Sequence, residues 1–474
     1  GSNKDEYFEI VRNADASVTV NMYDALDKQK GENLYYSRKI LKDETSDIRI
    51  YGLDGRDIFN ISGNCDESIT VRIIGGTGKD SINDVSISNA KTLVYDKGKR
   101  TSVNMSKNTD HIKPYNKNLY KYNRTAFKYD TYFPLPYLSY NKDDGLIVNA
   151  GISFTLHNFE TEDYSAKHKI QISVSTKESY GIEYWGRFRH LYEGWDLILS
   201  GHYDEPLPYT YFYGFGNETK KDDKKYDQNY YRTRYSSRGL TLGIARDFWK
   251  RSSFQIDIKY ENNEHQEESG LTIFSDNSVI GSQKVNLIEG STILNLDFRN
   301  HTDLPTSGTR IYAEYFNGFV TNLNYKNYGK LLILGEAFIS FPSILPLTLG
   351  IRGGGGKSFG KIPFYEQFTL GQNNYLKGYT NNRFTGKSIA FIQTGLRLNL
   401  FGFNGTLVPM KVGLLGYFNS GRVFQPGESS KKWHNGFGGG LFVIPLREEY
   451  TFYTTVSFSE EESFLFEIGL GTAL

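Results

Sequence analysis

The sequence predicts an all-β protein, most of which forms an antiparallel transmembrane β-barrel. Two observations carry this prediction. Apolar and polar side chains alternate along nearly every segment after about residue 130. The connections between these segments also alternate in length, with short ones following long ones. Both patterns are typical of strands that face lipid on one side and a polar interior on the other.

The alternation is clearest in the middle and at the end of the chain. In residues 254–261, Phe254, Ile256, Ile258 and Tyr260 share one face, and Gln255, Asp257, Lys259 and Glu261 share the other. Residues 464–474 place Phe464, Phe466, Ile468, Leu470 and Leu474 on one face. No segment has a convincing helical period, so the larger part is predicted to be strands throughout.

The segments are close to the ten or so residues that a tilted membrane strand needs, and about sixteen of them can be counted. An even number is what an antiparallel barrel requires. They lie at about 131–140, 145–156, 167–176, 180–190, 195–204, 236–248, 252–265, 289–299, 309–320, 330–341, 346–355, 389–400, 407–423, 434–445, 450–458 and 464–473.

The loop lengths separate a membrane barrel from a soluble β-protein. Short connections such as Leu191–Gly194 alternate with long ones such as Glu205–Tyr235 and Lys357–Ser388. Short turns on one rim and long loops on the other are the outer-membrane pattern, and a soluble sandwich has no reason to segregate them. A propeller would need an internal repeat of about forty residues, which is not visible here.

Composition excludes several function classes. The 474 residues carry 55 Lys+Arg and 54 Asp+Glu, and the net charge of +1 argues against a nucleic-acid-binding protein. Cys65 is the one cysteine, so no internal disulfide is predicted. No run of eighteen apolar residues exists, which excludes a transmembrane helix. Gly1-Ser2 resembles a cloning scar with no signal peptide after it, so the natural start is expected to be missing.

The first quarter of the chain differs from the rest in its Asp- and Lys-rich composition and short strands. We predict a small β-rich domain over residues 1–110, a polar linker over 111–127 and the barrel over 128–474. Gly52–Asn60 and Gly75–Asn83 resemble the calcium-binding nonapeptide of β-rolls, which makes Asp57 and Asp80 weak calcium candidates. The two copies lie 23 residues apart and not in tandem, so ordinary Gly/Asp turns are the favoured interpretation.

No catalytic chemistry stands out in this fragment. The His residues are scattered without metal-ligand spacing, and no nucleophile elbow or phosphate loop is present. We therefore expect no enzyme activity, no cofactor and, apart from the weak calcium candidates, no metal. A catalytic domain upstream of the fragment stays open.

Several motifs at the end of the chain carry a family resemblance. "LKGY" at 376–379 and "NRFTG" at 382–386 resemble the sixth-extracellular-loop motif of the BamA-type outer-membrane assembly and translocation superfamily. "GYFNSGRVF" at 416–424 and "WHNGFGGGLFVIPL" at 433–446 resemble its thirteenth and fourteenth strands, and the final "EIGLGTAL" its C-terminal β-signal. "YFYGFGNET" at 211–219 is similar to a loop in members fused to N-terminal enzymes, of the kind found in Bacteroidota.

The resemblance implies that the sixth loop folds back into the barrel. Its cation, Lys377, is expected to meet strand 13 at the family's acidic position, which here is Asn419. A lysine and an amide would form a weaker tether than an arginine and a carboxylate, so Gln393, Arg397 and Asn399 are further candidate partners. The loop-motif residues are Leu376, Lys377, Gly378, Tyr379, Arg383, Phe384 and Gly386.

The seam between the first and last strands is the second predicted site. Pro134 and Pro136 each remove a ladder donor from strand 1, and Gly469 and Gly471 lower the strand preference of strand 16. A weak seam would let strand 1 offer an edge to another chain by β-augmentation. In the resemblance, Glu467, Gly469 and the terminal Leu474 belong to the β-signal.

The resemblance implies an outer-membrane barrel, with the N-terminal domain in the periplasm, that inserts or translocates proteins through this seam. Two alternatives stay open: a membrane anchor or secretion barrel for an N-terminal hydrolase or phosphoesterase domain, and a plugged pore subunit of a larger outer-membrane complex. The expected partners are outer-membrane lipids and lipopolysaccharide, client β-barrel or secreted proteins, and accessory lipoproteins. No nucleic acid is expected.

Overall fold

The chain divides into two compact units. The computed structural model describes residues 1–96, 101–113, 117–141, 143–249, 251–266, 270–276, 279–323, 327–342, 344–404, 408–445 and 451–470. The smaller unit comprises Gly1–Asp130 and Leu156–Ser165, and the larger comprises Thr131–Thr155 and Ala166–Leu474. The domain boundaries predicted at residues 110 and 127 remain a prediction. Among the described residues, no helix is long and apolar enough to cross a bilayer.

The smaller unit is a two-sheet β-solenoid. One sheet has the order β3-β2-β1-β5-β7-β9 and the other the order β10-β8-β6-β4. Every pairing is parallel except those of β2 with β1 and with β3. The strands are β1 (Glu6–Arg12), β2 (Val18–Leu26), β3 (Gln29–Ile40), β4 (Asp47–Tyr51), β5 (Ile58–Gly63), β6 (Thr70–Ile74), β7 (Ser81–Asp84), β8 (Thr92–Tyr95), β9 (Ser102–Asn104) and β10 (Thr109–Ile112), followed by a 3₁₀ turn at Lys117–Tyr120.

Equivalent positions of successive coils lie side by side. Ile48 pairs with Val71 and Phe59 with Ile82, each 23 residues further along the chain. Since like positions stack, alternate apolar residues of each strand meet between the two sheets, and Phe8 stacks on Phe59 with ring centroids 4.7 Å apart. The buried core consists of Phe8, Ile10, Val18, Val20, Ile48, Ile50, Phe59, Ile61, Ile69, Val71, Ile73, Ile82 and Val94.

This stacking corrects the sequence interpretation of the two Gly/Asp segments. The 23-residue spacing is the length of one coil, so Gly52–Asn60 and Gly75–Asn83 are neighbours in space although they are not in tandem. The backbone confirms their contact, because Thr77 N donates to Leu53 O at 3.1 Å and Ser81 N to Asp57 O at 2.8 Å. A repeat was present in the sequence, and its period was that of a solenoid coil.

The larger unit is built on one antiparallel sheet in which each strand pairs with the next along the chain. Its strands are β11 (Thr131–Pro134), β12 (Tyr137–Asn141), β13 (Gly145–Leu156), β14 (Ala166–Ser175), β15 (Tyr180–Tyr192), β16 (Trp195–Asp204), β19 (Tyr235–Phe248), β20 (Ser252–His265), β21 (Val285–Asp297), β22 (Gly308–Val320), β23 (Asn327–Phe341), β24 (Leu347–Gly360), β27 (Ser388–Asn404), β28 (Pro409–Phe424), β29 (His434–Pro445), β30 (Phe452–Ser459) and β31 (Leu465–Leu470). Leu156, the last residue of β13, is grouped with the smaller unit.

Short elements occupy the connections between these strands. β17 (Thr210–Tyr211) pairs with β18 (Arg232–Thr233), and β25 (Phe368–Leu370) pairs with β26 (Phe384–Gly386). Helix α1 covers Asp223–Asp227, helix α2 covers Ile273–Asp276, and a 3₁₀ turn covers Phe364–Glu366. All of these lie on the rim where the long connections emerge.

The segments β11 and β12 are one interrupted strand. Both pair with β13, and they are separated by Leu135 and Pro136. Leu135 N still donates to Gly151 O at 2.8 Å across the interruption. Counted as one, they bring the described sheet to sixteen strands, which confirms the predicted fold class.

The two faces of this sheet have opposite chemistry. Leu240, Leu242 and Ile244 of β19 are 69%, 54% and 44% exposed, while Asp257 and Glu261 of β20 are 8% and 7% exposed. The apolar face therefore points outward and the polar face inward, as a barrel in lipid requires.

Contacts between distant strands show that the sheet curls around its polar face. Leu304, in the connection between β21 and β22, belongs to one buried cluster with Tyr417 of β28, Phe442 of β29 and Tyr453 of β30. These strands are several places away in the sheet order, so the cluster requires the sheet to curl around its interior.

Candidate functional site: the inward loop and the seam

The connection between β24 and β27, residues 361–387, folds onto the inner wall of the barrel. We call it the inward loop. The short hairpin of β25 and β26 gives it a fixed core. Its apolar side chains fill the space against β27 and β28, which explains why a connecting loop is so rich in bulky residues. The buried set is Phe368, Leu370, Leu376, Tyr379, Phe384, Ile389, Phe391 and Val423.

Two glycines let the tip of the loop rest directly on the wall. A Cβ at Gly436 of β29 would overlap the carbonyl oxygen of Lys377. Gly378 has a φ of +95°, and a Cβ there would lie 2.6 Å from the carbonyl oxygen of Phe458 in β30. Backbone therefore lies on backbone, a closeness that only glycine allows at these positions.

Lys377 makes an ion pair with the last strand of the barrel. Its Nζ lies 2.7 Å from Oε2 of Glu467 in β31. Both side chains are shielded, with 11% of Lys377 and 18% of Glu467 exposed. A charge-assisted hydrogen bond in such a setting is stronger than the lysine–amide contact expected from the sequence.

The structure does not bring Lys377 to Asn419. Asn419 of β28 is fully buried, and neither polar atom of its side chain has a hydrogen-bond partner among the described residues. Gln393 of β27 is opposite Asn419 in the ladder and accepts from Arg352 Nη1 at 3.5 Å. Arg397 donates to Pro305 O, so it contacts the connection between β21 and β22. Lys377 pairs with the Glu467 carboxylate because a carboxylate offsets the desolvation cost of a buried ammonium and an amide does not.

Glu467 collects further donors. Its Oε2 accepts from Gln372 Nε2 of the inward loop at 2.8 Å, and its Oε1 accepts from the Tyr453 hydroxyl at 2.8 Å. Gly469 makes the second bond possible, because a Cβ there would overlap the Tyr453 ring. The aromatic ring thus lies across the glycine and reaches the carboxylate. Glu467 and Gly469, predicted as parts of a terminal signal, form one polar site.

Arg383 is the second cation of the loop and is almost fully buried, with 1% exposed. Its Nε and Nη2 donate to the two carboxylate oxygens of Glu461, the Nη2 bond measuring 2.8 Å. Its Nη1 donates to the Thr219 hydroxyl at 2.8 Å. Glu461 lies in the turn between β30 and β31, so this cation also reaches the last hairpin. Sequence reasoning missed Glu461, although the acidic run 460–462 facing a cationic loop was an available signal.

The loop between β16 and β19 binds both the inward loop and the connection between β28 and β29. Asn217, within the quoted "YFYGFGNET", is fully buried and donates to Ser430 Oγ at 3.0 Å and Lys432 O at 2.9 Å. Its backbone oxygen accepts from His434 Nε2 at 2.8 Å. Gly216 N donates to Thr385 O at 2.8 Å. The motif therefore joins three long connections at one rim.

At the seam, the hydrogen-bond ladder ends on both sides. In the described residues, β31 pairs with β30 and the two halves of strand 1 pair with β13, and no pairing joins β31 to strand 1. Pro134 ends β11 and Pro136 lies in the interruption. Gly471 and Leu474 lie outside the described residues.

The remaining loop-motif residue and the inner wall complete the site. Gly386 ends β26, and a Cβ there would lie 2.9 Å from the Cβ of Val423. A cavity of about 540 Å³ remains between the loop and the inner face of β19–β23. Part of the wall charge is paired: Arg299 lies 3.1 Å from Glu336, and Arg352 Nε lies 2.9 Å from the same carboxylate. These ion pairs contribute to a polar interior.

The calcium candidates lie in the solenoid, apart from this site. Asp57 Oδ1 accepts from Glu6 N and Asp80 Oδ1 accepts from Asp57 N, each at 3.0 Å. Burial raises the pKa of Asp57 to about 8, with the Asp80 charge adding to it and the Glu6 N–H opposing it. Burial likewise raises the pKa of Asp80 to about 6. Over the part of the chain that the structure describes, no three acidic, His or Cys side chains converge as a metal site.

Comparison with known proteins shows the family. A model of the Omp85 superfamily domain matches residues 165–472, more than half of the chain. No curated protein sequence matches it. BamA from Haemophilus ducreyi lacking POTRA domains 1–3 is 13% identical, with 72% of this chain and 69% of that chain covered and a TM-score of 0.48.

Two further solved structures are similar. CdiB from Acinetobacter baumannii is 12% identical over 72% of this chain and 60% of its own, with a TM-score of 0.47. CdiB from Escherichia coli is 9% identical over 72% and 62%, with a TM-score of 0.48. The resemblance predicted from the terminal motifs is confirmed by the family match, and the chain belongs to the Omp85 superfamily of outer-membrane β-barrel proteins.

Proposed function

We propose that this barrel inserts or translocates client proteins at the outer membrane through the seam between strand 1 (β11 and β12) and β31. The interrupted ladder is the observation that carries the proposal. Every other neighbouring pair of strands in the sheet is hydrogen-bonded, and the described residues of strand 1 and β31 are not. An unpaired edge in lipid is costly, and another chain's strand can satisfy it by β-augmentation.

Strand 1 is suited to exchange its partner. Pro134 and Pro136 offer no backbone N–H, and the break at Leu135–Pro136 divides the strand into segments of four and five residues. Short, interrupted segments hold a neighbour by fewer bonds than the 14-residue β19 and β20 hold each other. Such an edge can release one strand and accept another.

The partners follow from the surface and the seam. The exposed apolar face of the sheet would contact outer-membrane lipids and lipopolysaccharide, and the seam would receive client β-barrel or secreted proteins. Accessory lipoproteins would bind outside the bilayer, and the N-terminal solenoid would lie in the periplasm. The proposal gives this chain no catalytic role.

Disulfide locking of the seam tests the proposal. After Cys65→Ser removes the native thiol, cysteine pairs would join Leu138 or Tyr140 to Phe466 or Ile468, all of which lie on the exposed apolar face. We expect at least one pair to oxidise and the locked barrel to lose its ability to complement a strain lacking the native protein. Reductant should restore it.

A matched pair separates locking from a general effect of oxidation. Ser457 and Leu465 are neighbours on β30 and β31, so a disulfide there leaves the seam free. This variant should complement with and without reductant. Full complementation by a barrel with a locked seam would contradict the proposal. So would a failure of all four seam pairs to oxidise while the control pair does, because strand 1 and β31 would then not be adjacent.

A further inference from the structure

The last hairpin of the barrel has an unusual support. On one side β31 is held by six ladder positions with β30, from Phe452↔Leu470 to Ser457↔Leu465. On its other side no described strand pairs with it. The inward loop replaces the missing neighbour by reaching the hairpin from inside the barrel. It does so at two charged contacts, Lys377 with Glu467 and Arg383 with Glu461.

We propose that the inward loop is a clamp for β31, and that the seam, whose ladder is already interrupted over the described residues, widens when the Lys377–Glu467 pair breaks. The inference rests on the proposed function only for the purpose that the movement of β31 would serve. In the clamp itself, Lys377 and Glu467 are positioning residues that hold the last strand. Glu467 is suited to this because it accepts hydrogen bonds from Gln372 and Lys377 of the loop and from Tyr453 of β30.

The two contacts differ in how firmly their loop end is fixed. Arg383 is held by Glu461 and also by Thr219 of the long connection between β16 and β19, through both the hydroxyl and the carbonyl of that residue. Lys377 donates to Glu467 alone among the described residues. The Arg383 contact is therefore a fixed pivot, and the Lys377 contact is the one that releases.

Charge explains why the Lys377–Glu467 pair would break in one step and not gradually. Separating a shielded ammonium from its carboxylate leaves two charges that are incompletely solvated, so partial opening is unfavourable. Tyr417 and Tyr453 lie within 6 Å of the Lys377 ammonium and offer it ring faces but no countercharge. The clamped arrangement, in which the Lys377–Glu467 pair is intact, is thus favoured until β31 moves as a unit.

Amide hydrogen exchange of the full chain in detergent tests the clamp. Lys377→Met and Glu467→Gln should each raise exchange in 465–470 by about 10- to 100-fold, the range for losing a charge-assisted hydrogen bond. Lys259→Met is the matched control, because it removes another wall ammonium, paired with Glu289 at 3.2 Å, far from β31. Its exchange in 465–470 should equal that of the native chain.

A charge reversal separates the clamp from general misfolding. Lys377→Glu combined with Glu467→Lys restores opposite charges and should return exchange in 465–470 toward the native rate, while each reversal alone should not. Heat-dependent gel mobility reports whether each barrel has folded. If any single variant fails to fold, rescue by the double reversal supports the pair on that readout alone.

Unchanged exchange at 465–470 in folded Lys377→Met and Glu467→Gln would overturn the clamp. So would equal effects of Lys377→Met and Lys259→Met. Neither outcome bears on the proposed function, which is tested separately by the disulfide-locked seam. If the disulfide-locked barrel still complements while the variants exchange faster at 465–470, the clamp is supported and the proposed transport through the seam is contradicted.

Discussion

The solenoid and the barrel use the same alternation of side chains in opposite ways. In the solenoid, Phe59 and Ile61 of β5 are fully buried between two sheets. In the barrel, Leu240 and Leu242 of β19 occupy the same alternating pattern and lie outside, while polar residues such as Asp257 lie within. Period-two alternation therefore identifies a strand but not the side on which its core lies.

Neighbour relations differ between the two regions as well. The solenoid strands β4 and β5 pair in parallel with strands 23 residues further along the chain, and barrel strands pair antiparallel with the next strand in sequence. Each solenoid coil depends on its neighbours for burial, whereas the barrel depends on closure at a single seam. The comparison predicts that the solenoid is sensitive to cavities and the barrel to charge on its outer face.

The largest effect should come from a cavity in the solenoid. Phe59→Ala removes a fully buried ring stacked on Phe8 and should cost about 3–5 kcal/mol of unfolding free energy. Phe437→Ala is the control in the barrel, since that ring is 55% exposed on the outer face. It should cost less than about 1 kcal/mol, because lipid or detergent fills the space. Denaturant-dependent pulse proteolysis in detergent measures both, and equal losses would break the comparison.

The next effect concerns a charge placed on the outer face of one barrel strand. Ile258 lies in the middle of β20 and is 62% exposed on the outer face, and Lys259 faces inward. Ile258→Lys should destabilise the barrel by about 2–4 kcal/mol in a bilayer. Ile258→Leu should be close to neutral. Reversible unfolding into vesicles gives the values, and a neutral lysine at position 258 would place that face away from lipid.

A smaller effect should appear as a pH dependence of the solenoid. The folded-state pKa of Asp57, about 8, lies above its usual 3.8, so the folded state binds more protons between these values. Unfolding free energy is then greatest below about pH 4 and falls as pH rises through 8. Between pH 5 and pH 8 we expect a loss of about 3 kcal/mol at most.

Substitution identifies the group responsible for this dependence. Asp57→Asn keeps the oxygen that accepts from Glu6 N and should flatten the profile, leaving the smaller contribution of Asp80. Asp43→Asn, at an exposed turn, should leave the profile as it is. Pulse proteolysis of residues 1–130 across pH is the measurement. Stability that rises toward pH 8 in the native chain would contradict the burial of an uncompensated Asp57.

Much of the barrel followed from the sequence, because alternation and loop length are local properties. The sixteen strands could be placed without knowing which residues meet, whereas the inward fold of the loop was implied by the family resemblance of its motif. The partner of Lys377 could not, since Glu467 lies 90 positions away and becomes its neighbour only when the sheet closes. Family resemblance directed attention to Asn419, where the expected carboxylate is absent.

The solenoid shows a different limit. Its period is present in the sequence as the 23-residue spacing between Asp57 and Asp80. A parallel ladder places residues one coil apart in contact. A motif repeated at the length of one coil therefore indicates neighbours in space even where its copies are not in tandem.

The barrel wall should be weakest where strand 1 meets β31. Amide exchange of the native chain in lipid nanodiscs tests it most directly. Residues 137–141 and 465–470 should exchange at least about tenfold faster than 252–265 and 285–297, whose strands β20 and β21 pair with neighbours on both sides. Equal protection of the seam strands and of β20 and β21 would show a continuous wall and contradict the account.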